Sequence, residues 1–159
     1  MSSPSIRLAT DSDARFIAGL SRDCIEHGLV WTYTEGRILK AIRSKTVNVA
    51  VMREEGRFLA FGIMDYGDTT AHLVLLGVQP GQRRRGLGKQ VLWWLEKCAI
   101  TAGIELIRVE ARLDNREAVE FYRRLGYVVL GSVPGYYQGR IDAVRLEKRL
   151  GVKPDVSQA

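Results

Sequence analysis

The order of elements that the sequence predicts indicates an α/β domain with a mixed sheet. Seven segments have the apolar or alternating pattern of strands and four have helical spacing, in the order β-α-α-β-β-β-α-β-α-β-β. The chain has 159 residues, of which 46% are hydrophobic and 26% charged, so it is long enough to close a hydrophobic core. We therefore predict one domain over residues 1–150 and a polar tail over residues 151–159.

Capping signals and runs of β-branched residues define the first half of the chain. Thr10 followed by Asp13 resembles a capping box and predicts a helix to about residue 27. Thr34 is the expected N-cap of a second helix, to about residue 45. The predicted strands of this half are 5–9, 46–53, 57–66 and 71–78.

The second half begins after the strand over 71–78, which is nearly all apolar and is expected to be covered on both faces. A Gly- and Arg-rich loop follows, and then a long helix that ends at about residue 102, before Gly103. Asp114 is the expected N-cap of a helix that ends at Leu125. The remaining predicted strands are 104–111, 127–133 and 140–148.

Composition excludes several classes of protein. The net charge of +6, from 24 Lys and Arg against 18 Asp and Glu, favours anionic ligands. No run approaches the ~20 apolar residues of a membrane helix, and the first ten residues lack the apolar core of a signal peptide. We therefore predict a cytoplasmic protein with no membrane partner.

Cysteine and histidine usage argues against a metal site. Cys24 and Cys98 are predicted to be buried free thiols in a reducing compartment. These two cysteines and the two histidines, His27 and His72, lack the paired spacing of zinc ligands. We therefore expect no metal.

The most informative segment is the loop Arg83-Arg84-Arg85-Gly86-Leu87-Gly88-Lys89, which joins an apolar strand to an amphipathic helix. The first N–H groups of such a helix are unpaired, and its dipole adds positive charge there, so the position suits a phosphate. Gly86 and Gly88 remove side chains where a ligand would approach the backbone. A solvated basic turn is the alternative. The segment is neither a Walker loop nor a Rossmann fingerprint.

This loop and a second block, Asn115 to Tyr127, resemble the two motifs of the GNAT acetyltransferase superfamily, and the order of elements fits from Ser5 to about Leu150. The resemblance is closest to the ribosomal-protein alanine and protein N-terminal acetyltransferases. It implies a GNAT-like fold, with a mixed, mostly antiparallel seven-stranded sheet flanked by four helices. It also implies transfer of an acetyl group from acetyl-CoA to a primary amine.

The same resemblance implies a set of cofactor-binding residues. In this family the pyrophosphate lies on the N–H groups of the loop, and the pantetheine arm pairs with the end of the preceding strand. The matching Asn and Tyr of the second block lie near the pantetheine and the thioester sulfur. The residues so implied are Leu76, Gly77, Val78, Arg83, Arg84, Arg85, Gly86, Leu87, Gly88, Lys89, Asn115 and Tyr122.

Two catalytic residues are expected from the resemblance. Tyr122 is the candidate general acid for the departing thiolate, although a core tyrosine would also fit its position. Glu110 is the candidate general base, with a pKa that is raised if the carboxylate is desolvated. An exposed carboxylate paired with Arg112 is the alternative for Glu110. His72 is a rival base, or else an exposed residue at the start of a strand.

Aromatic residues are the candidates for contact with the acceptor. Tyr136 and Tyr137 lie in a Gly-flanked segment, expected to be a loop, that resembles loops of protein N-terminal acetyltransferases. Trp31 and Tyr33 are expected to form the opposite wall, unless these rings only plug the ends of the sheet. The segment around Trp31 departs from a clear peptide-binding signature, so the acceptor is either a protein N-terminus or a small-molecule amine.

Two other classes of function compete with an enzyme. One is a non-catalytic CoA-binding module. The other is a nucleic-acid binder that uses the arginine run, which we exclude because those arginines are already assigned to a phosphate-bearing ligand. The sequence leaves a monomer and a homodimer open.

Overall fold

A computed structural model describes residues 3–151 and has the predicted α/β architecture. Its seven strands form one sheet in the order β1-β2-β3-β4-β5-β7-β6, and with four helices this confirms the predicted fold class. The strands are β1 Ser5–Leu8, β2 Val47–Glu54, β3 Arg57–Tyr66, β4 Thr70–Val78, β5 Leu106–Arg112, β6 Val128–Tyr137 and β7 Ile141–Arg149. The helices are α1 Ala14–Leu20, α2 Glu35–Arg43, α3 Leu87–Thr101 and α4 Arg116–Arg124.

The described residues form two compact units. The first comprises the chain up to Asp65 together with Leu73–Leu95, and the second comprises Tyr66–His72 and the chain from Glu96 onward. None of the helices within residues 3–151 is both long and apolar enough to cross a membrane. The single domain over residues 1–150 stays a prediction, and the predicted tail lies outside the described residues except for Gly151.

The first unit is built around a core between its helices and its strands. Strand β2 pairs antiparallel with β1 and with β3, and the inward residues of these strands meet α1 and α2. Ile17, Ile38 and Phe61 are fully buried in this core. Burying one side chain of that size contributes ~1.5–3 kcal/mol, so this cluster is a main source of the stability of the unit.

The capping box at the start of the first helical segment is present and extends into an ion-pair network. The Asp13 carboxylate accepts the Thr10 amide at 2.8 Å, and it pairs with Arg7 at 2.7 Å and Arg53 at 2.8 Å. Burial raises the pKa of Asp13, but the hydrogen bonds from Arg7, Thr10 and Arg53 outweigh it and hold that pKa well below its usual value. The predicted helix is a 3₁₀ turn, then α1, then a π-helical turn that ends at Ile25.

The second unit carries the last three strands. Strand β7 pairs antiparallel with β5 and with β6, and this pairing places Glu110 directly opposite Arg145. Helix α4 begins at Arg116 because Asn115, and not Asp114 as predicted, is its N-cap: the Asn115 side chain accepts the amide of Ala118. The Asp114 carboxylate instead pairs with Arg112 at 3.1 Å.

Three further expectations are corrected. Strand β4 alternates buried and half-buried residues, so only one of its faces is fully covered. Cys24 and Cys98 are free thiols, as predicted, but each is half-buried. Tyr136 and Tyr137 lie in β6, which continues to Tyr137, and the chain reverses after it at the positive-φ residues Gln138 and Gly139.

Candidate active site

The loop between β4 and α3 has the geometry of an anion-binding turn. A short 3₁₀ turn, Pro80–Gln82, leads into extended backbone at Arg83. Arg84 and Gly86 then have φ angles of 66° and 74°, in the left-handed region where glycine is least strained. These reversals bring the chain into the first turn of α3, where unpaired N–H groups and the helix dipole favour negative charge.

The three arginines of this loop differ in their partners. Arg85 donates to Gln82 and forms an ion pair with Glu54 at 3.1 Å, so its charge is largely compensated. Arg83 and Arg84 are exposed, and neither is paired with a carboxylate within residues 3–151. Two uncompensated guanidinium groups beside a helix N-terminus fit the pyrophosphate of a nucleotide cofactor. The Lys89 ammonium lies over the Trp93 ring at 4.7 Å.

The end of β4 is shaped by Gly77. A Cβ atom at this position would lie 2.8 Å from the Phe61 ring, closer than side-chain packing allows, and 3.2 Å from Ile25, which is a tight contact. Leu76 and Val78, on either side, are half-buried, and the chain continues with a hydrogen bond from the Gln79 amide to the Leu59 carbonyl at 2.8 Å. Glycine at 77 therefore allows the strand to pack closely, a structural role that adds to its predicted place in the cofactor site.

Tyr122 lies on α4, two turns after the cap residue Asn115. Its side chain is 7% exposed, and its ring makes edge contacts with Phe121 and Tyr127 at 5.2 and 5.6 Å. Burial raises the pKa of Tyr122 above its usual value, so the hydroxyl stays protonated at neutral pH. The position fits the core tyrosine that the sequence left open, and the general-acid role of Tyr122 stays a prediction.

Glu110 and His72 form a hydrogen-bonded pair within the second unit. The His72 Nε2 atom and the Glu110 Oε2 atom are 3.1 Å apart, although 38 residues separate them in the sequence. The Glu110 side chain is 2% exposed and the His72 side chain 29%. The two residues predicted as rival bases are therefore partners, with the carboxylate inside and the imidazole facing out.

The Glu110 carboxylate is surrounded by cationic and hydrogen-bonding groups. Its Oε1 atom lies 3.5 Å from Arg108 Nε and 3.6 Å from Arg145 Nη2. Burial raises the pKa of Glu110, but the hydrogen bond and charge of His72, the charge of Arg108 and a hydrogen bond from Tyr136 outweigh it. The net pKa lies below the ordinary 4.5, which is opposite in direction to the raised value expected from burial alone.

The paired tyrosines of β6 lie at this cluster. The rings of Tyr136 and Tyr137 meet edge to face at 4.9 Å, and Tyr136 hydrogen-bonds the Glu110 carboxylate. Burial raises the pKa of Tyr137, and the proximity of Tyr136, Glu110 and Tyr122 raises it further. The second unit thus brings five ionisable side chains close together: His72, Glu110, Tyr122, Tyr136 and Tyr137.

Trp31 and Tyr33 belong to a segment of the first unit that a buried glutamate organises. The Glu26 carboxylate accepts Ser21 Oγ at 2.8 Å, the Thr32 amide at 2.8 Å and the Tyr33 amide at 3.2 Å. Trp31 is 38% exposed, with the Arg22 guanidinium 5.4 Å from its ring centroid. Tyr33 lies 4.0 Å from the Arg37 guanidinium and lines a cavity of about 410 Å³.

The sequence interpretation missed Arg108 and Arg145. Period-two alternation in β5 places Arg108 on the same face as Glu110, so the local pattern contained this signal. Arg145 could not be found this way, because only the register of β5 against β7 places it opposite Glu110. Among residues 3–151 no three side chains of the His, Cys, Asp and Glu types group as metal ligands.

Comparison with known proteins identifies the family. The model of the acetyltransferase (GNAT) family matches residues 19–127, which include both sequence motifs. The chain belongs to the GNAT family. The resemblance on which the fold and cofactor expectations depended is therefore confirmed.

Named relatives and a solved structure agree with GNAT membership. An uncharacterised N-acetyltransferase of Methanocaldococcus jannaschii is 33% identical over 98 residues, 60% of this chain and 62% of that protein. A ribosomal protein bS18-alanine N-acetyltransferase of Salmonella typhimurium is 32% identical over 93 residues, 57% of this chain and 63% of that protein. The aligned region thus spans less than two thirds of either relative.

The solved structure is the PaiA N-acetyltransferase of Thermoplasma acidophilum in complex with coenzyme A. It matches with a TM-score of 0.80 at 19% identity, over 93% of this chain and 99% of that chain. At this level of identity, the likeness shows that the two chains share a fold.

Proposed function

We propose that this protein is an N-acetyltransferase that uses acetyl-CoA as cosubstrate and acetylates a primary amine. The observation that carries the proposal is the Arg83–Lys89 loop, where left-handed backbone, a helix N-terminus and two uncompensated arginines form a phosphate-binding turn. GNAT membership supports acetyl-CoA as the ligand of this turn.

The residues of the turn would hold the cosubstrate by its charged end. Backbone N–H groups of Gly86 to Lys89 and the guanidinium groups of Arg83 and Arg84 supply donors for the pyrophosphate oxygens. The end of β4, over Leu76 to Val78, supplies backbone groups for the pantetheine amides, as the family resemblance implies. The cosubstrate contributes an activated acetyl thioester.

In the proposed reaction the acceptor amine attacks the thioester carbonyl carbon, a C–N bond forms, and the C–S bond breaks with its electron pair on sulfur. The amine must lose one proton and the thiolate must gain one. Tyr122, kept protonated by burial, donates a hydrogen bond to the developing thiolate, and the thiolate then takes its proton from water. The proton from nitrogen passes to the His72–Glu110 pair, of which His72 is the member that reaches the surface.

The buried carboxylate has a defined part in this pair. It accepts the His72 Nε2 hydrogen bond, fixes the orientation of the ring and compensates the positive charge that the imidazole gains. The other ring nitrogen, Nδ1, is then directed away from the carboxylate and is available to the acceptor. We therefore assign proton acceptance to His72 and orientation of the ring to Glu110.

The acceptor of this proposal is a peptide N-terminus or a small amine. Relatives named as alanine N-acetyltransferases favour an α-amine, as do the adjacent tyrosines of β6, whose hydroxyls can bind a peptide backbone. An α-amine is also more often neutral at pH 7 than a lysine side chain, because its pKa is lower by about two units. Action in the cytoplasm is part of the same proposal.

The first test is binding. Acetyl-CoA at ~100 times its dissociation constant should stabilise the protein by ~2.7 kcal/mol, and ATP should stabilise it clearly less. Arg84→Gln should weaken acetyl-CoA binding more than Arg85→Gln, because Glu54 already compensates Arg85. Equal stabilisation by acetyl-CoA and ATP would mean that the loop binds phosphate groups in general and does not select acetyl-CoA.

The second test is turnover. Release of free thiol from acetyl-CoA should require an amine, with N-terminal peptides tested first and amino acids, polyamines and antibiotics next. Tyr122→Phe should lower kcat by ~100-fold or more while the dissociation constant of acetyl-CoA stays within about a factor of two. Binding of acetyl-CoA without turnover of any amine would favour a non-catalytic CoA-binding module.

A further inference from the structure

The face of the β5–β7 pair around Glu110 carries more positive charge than it compensates. Two guanidinium groups, those of Arg108 and Arg145, approach the same carboxylate oxygen, and within residues 3–151 neither is paired with another carboxylate. One carboxylate therefore faces two permanent positive charges, with His72 as a third basic group. The cluster carries a net charge of at least +1 in a half-buried setting.

The hydrogen bonding of this cluster is incomplete as well. Arg108 Nε, Arg145 Nε and Glu110 Oε1 are buried, and none of them has a hydrogen-bond partner in the described part of the chain. The separations of 3.5 and 3.6 Å are ion-pair distances, longer than good hydrogen bonds. Buried polar atoms are normally satisfied, so the charges of the two guanidinium groups are only loosely compensated by Glu110.

The guanidinium groups are also reachable from outside. The side chains of Arg108 and Arg145 are 44% and 35% exposed, so their outer nitrogens reach the surface while their Nε atoms lie inside. A planar guanidinium binds a carboxylate through two parallel hydrogen bonds, which a neutral amide cannot reproduce. The exposed edges of this pair are therefore suited to a carboxylate.

We propose that the amine acceptor of this enzyme carries a carboxylate close to its reacting nitrogen, and that Arg108 and Arg145 bind that carboxylate beside His72. This inference rests on the proposed N-acetyltransferase function and specifies its substrate class. The acceptor is then an acidic amine, either a peptide with Asp or Glu in its first two positions or a free dicarboxylic amino acid. Its negative charge neutralises the excess positive charge of the cluster.

The test compares acceptors that differ only in charge. Peptide pairs with Asp or Asn, and Glu or Gln, at the second position are assayed with acetyl-CoA, alongside free aspartate and glutamate and their side-chain amides. We expect kcat/KM to favour the acid by about tenfold to a hundredfold, in line with hydrogen bonds to charged groups. The peptide and amino-acid series together identify which source of the carboxylate is used.

Variants connect this preference to the two arginines. Arg108→Gln and Arg145→Gln should each reduce the ratio of acid to amide kcat/KM, and the double variant should bring it close to one. Arg149→Gln is the matched control, because Arg149 lies on the same face of β7 four residues from Arg145 and is exposed. It should keep the wild-type ratio. Thermal unfolding verifies that each variant is folded.

The outcomes separate the two proposals. Equal use of acid and amide by the wild-type protein, or an acid preference that survives the double variant, would overturn the carboxylate site and leave the N-acetyltransferase function intact. Failure to acetylate any amine, with acetyl-CoA bound, would overturn the proposed function itself and this inference with it. A preference that appears instead in the KM for acetyl-CoA would reassign the arginines to the cosubstrate.

Discussion

Two buried glutamates in the second unit differ in how completely their oxygens are bonded. Glu96 accepts Tyr127 Oη at 2.7 Å through Oε2 and Lys148 Nζ at 3.0 Å through Oε1, so both oxygens are bonded within the protein. Glu110 accepts His72 through Oε2, but its Oε1 atom has only ion-pair contacts at 3.5 Å or more. Burial alone therefore does not distinguish a structural carboxylate from a functional one.

The completeness of hydrogen bonding is a better guide than burial to the role of a buried carboxylate. A saturated buried carboxylate fixes its neighbours, as Glu26 does for Thr32 and Tyr33 in the first unit. An unsaturated carboxylate carries an energetic cost that the fold retains, and such costs are concentrated at functional sites. Glu110 combines this cost with a half-buried histidine partner, and Glu96 has neither feature.

The largest expected effect is on catalysis. Glu110→Gln removes the charge that orients His72, so kcat should fall by ~100-fold or more in the thiol-release assay, with the dissociation constant of acetyl-CoA little changed. Glu96→Gln is the matched control and should keep the specific activity of the folded protein. Similar losses of activity in both variants would remove the distinction between the two glutamates.

The second effect is on stability, where we expect Glu96→Gln to cause a larger loss than Glu110→Gln. Glu96→Gln leaves the Lys148 ammonium without its partner and weakens the bond from Tyr127, so the free energy of unfolding should fall by ~1–3 kcal/mol. Glu110→Gln should also lower the free energy of unfolding, but by less, because the carboxylate has only ion-pair contacts of 3.5 Å or more with Arg108 and Arg145. Denaturant unfolding measures both. A larger loss for Glu110→Gln would assign that residue to structure.

The third effect is on proton affinity. Because the net pKa of Glu110 lies below 4.5, its carboxyl should be ionised throughout the neutral range, and carboxyl NMR should give a titration midpoint below that value. His72→Gln removes the strongest interaction that lowers the pKa, so the midpoint should move upward. A wild-type midpoint above 5 would restore the raised pKa expected from the sequence.

The smallest effect is on acid stability. A carboxyl whose folded pKa is lowered contributes stability above its unfolded pKa, here about 4.5, and loses it as the pH falls through the folded pKa. The free energy of unfolding should therefore decline below pH ~4.5, less steeply in Glu110→Gln than in the wild-type protein. Parallel curves would mean that the pKa of Glu110 is the same in the folded and unfolded states.

The sequence predicted the elements of the fold well because their signals are local. The Thr34 cap and the loop before α3 depend on neighbouring residues, and the structure has both of them. The errors were local too. Asp114 and Asn115 are both residue types that favour the N-cap position. Asn115 caps α4, because the Asp114 carboxylate is paired with Arg112.

The description of the candidate site depended on both the sequence and the structure. The family resemblance predicted roles for Glu110 and Tyr122, and the residue type and position of His72 made it a candidate base. Glu110 and His72 were predicted as rivals, because a sequence gives no distance between residues that are 38 positions apart. The structure makes them partners and reverses the expected direction of the Glu110 pKa.

The order of strands and helices, the Gly- and Arg-rich loop before α3 and the residue types available for proton transfer follow from the sequence, because periodicity, caps and glycine positions act over a few residues. The contacts that place Arg145 opposite Glu110 and His72 on the same carboxylate become visible only in the folded sheet. Strand register and the pairing of distant strands set these contacts, and both depend on the packing of the whole sheet.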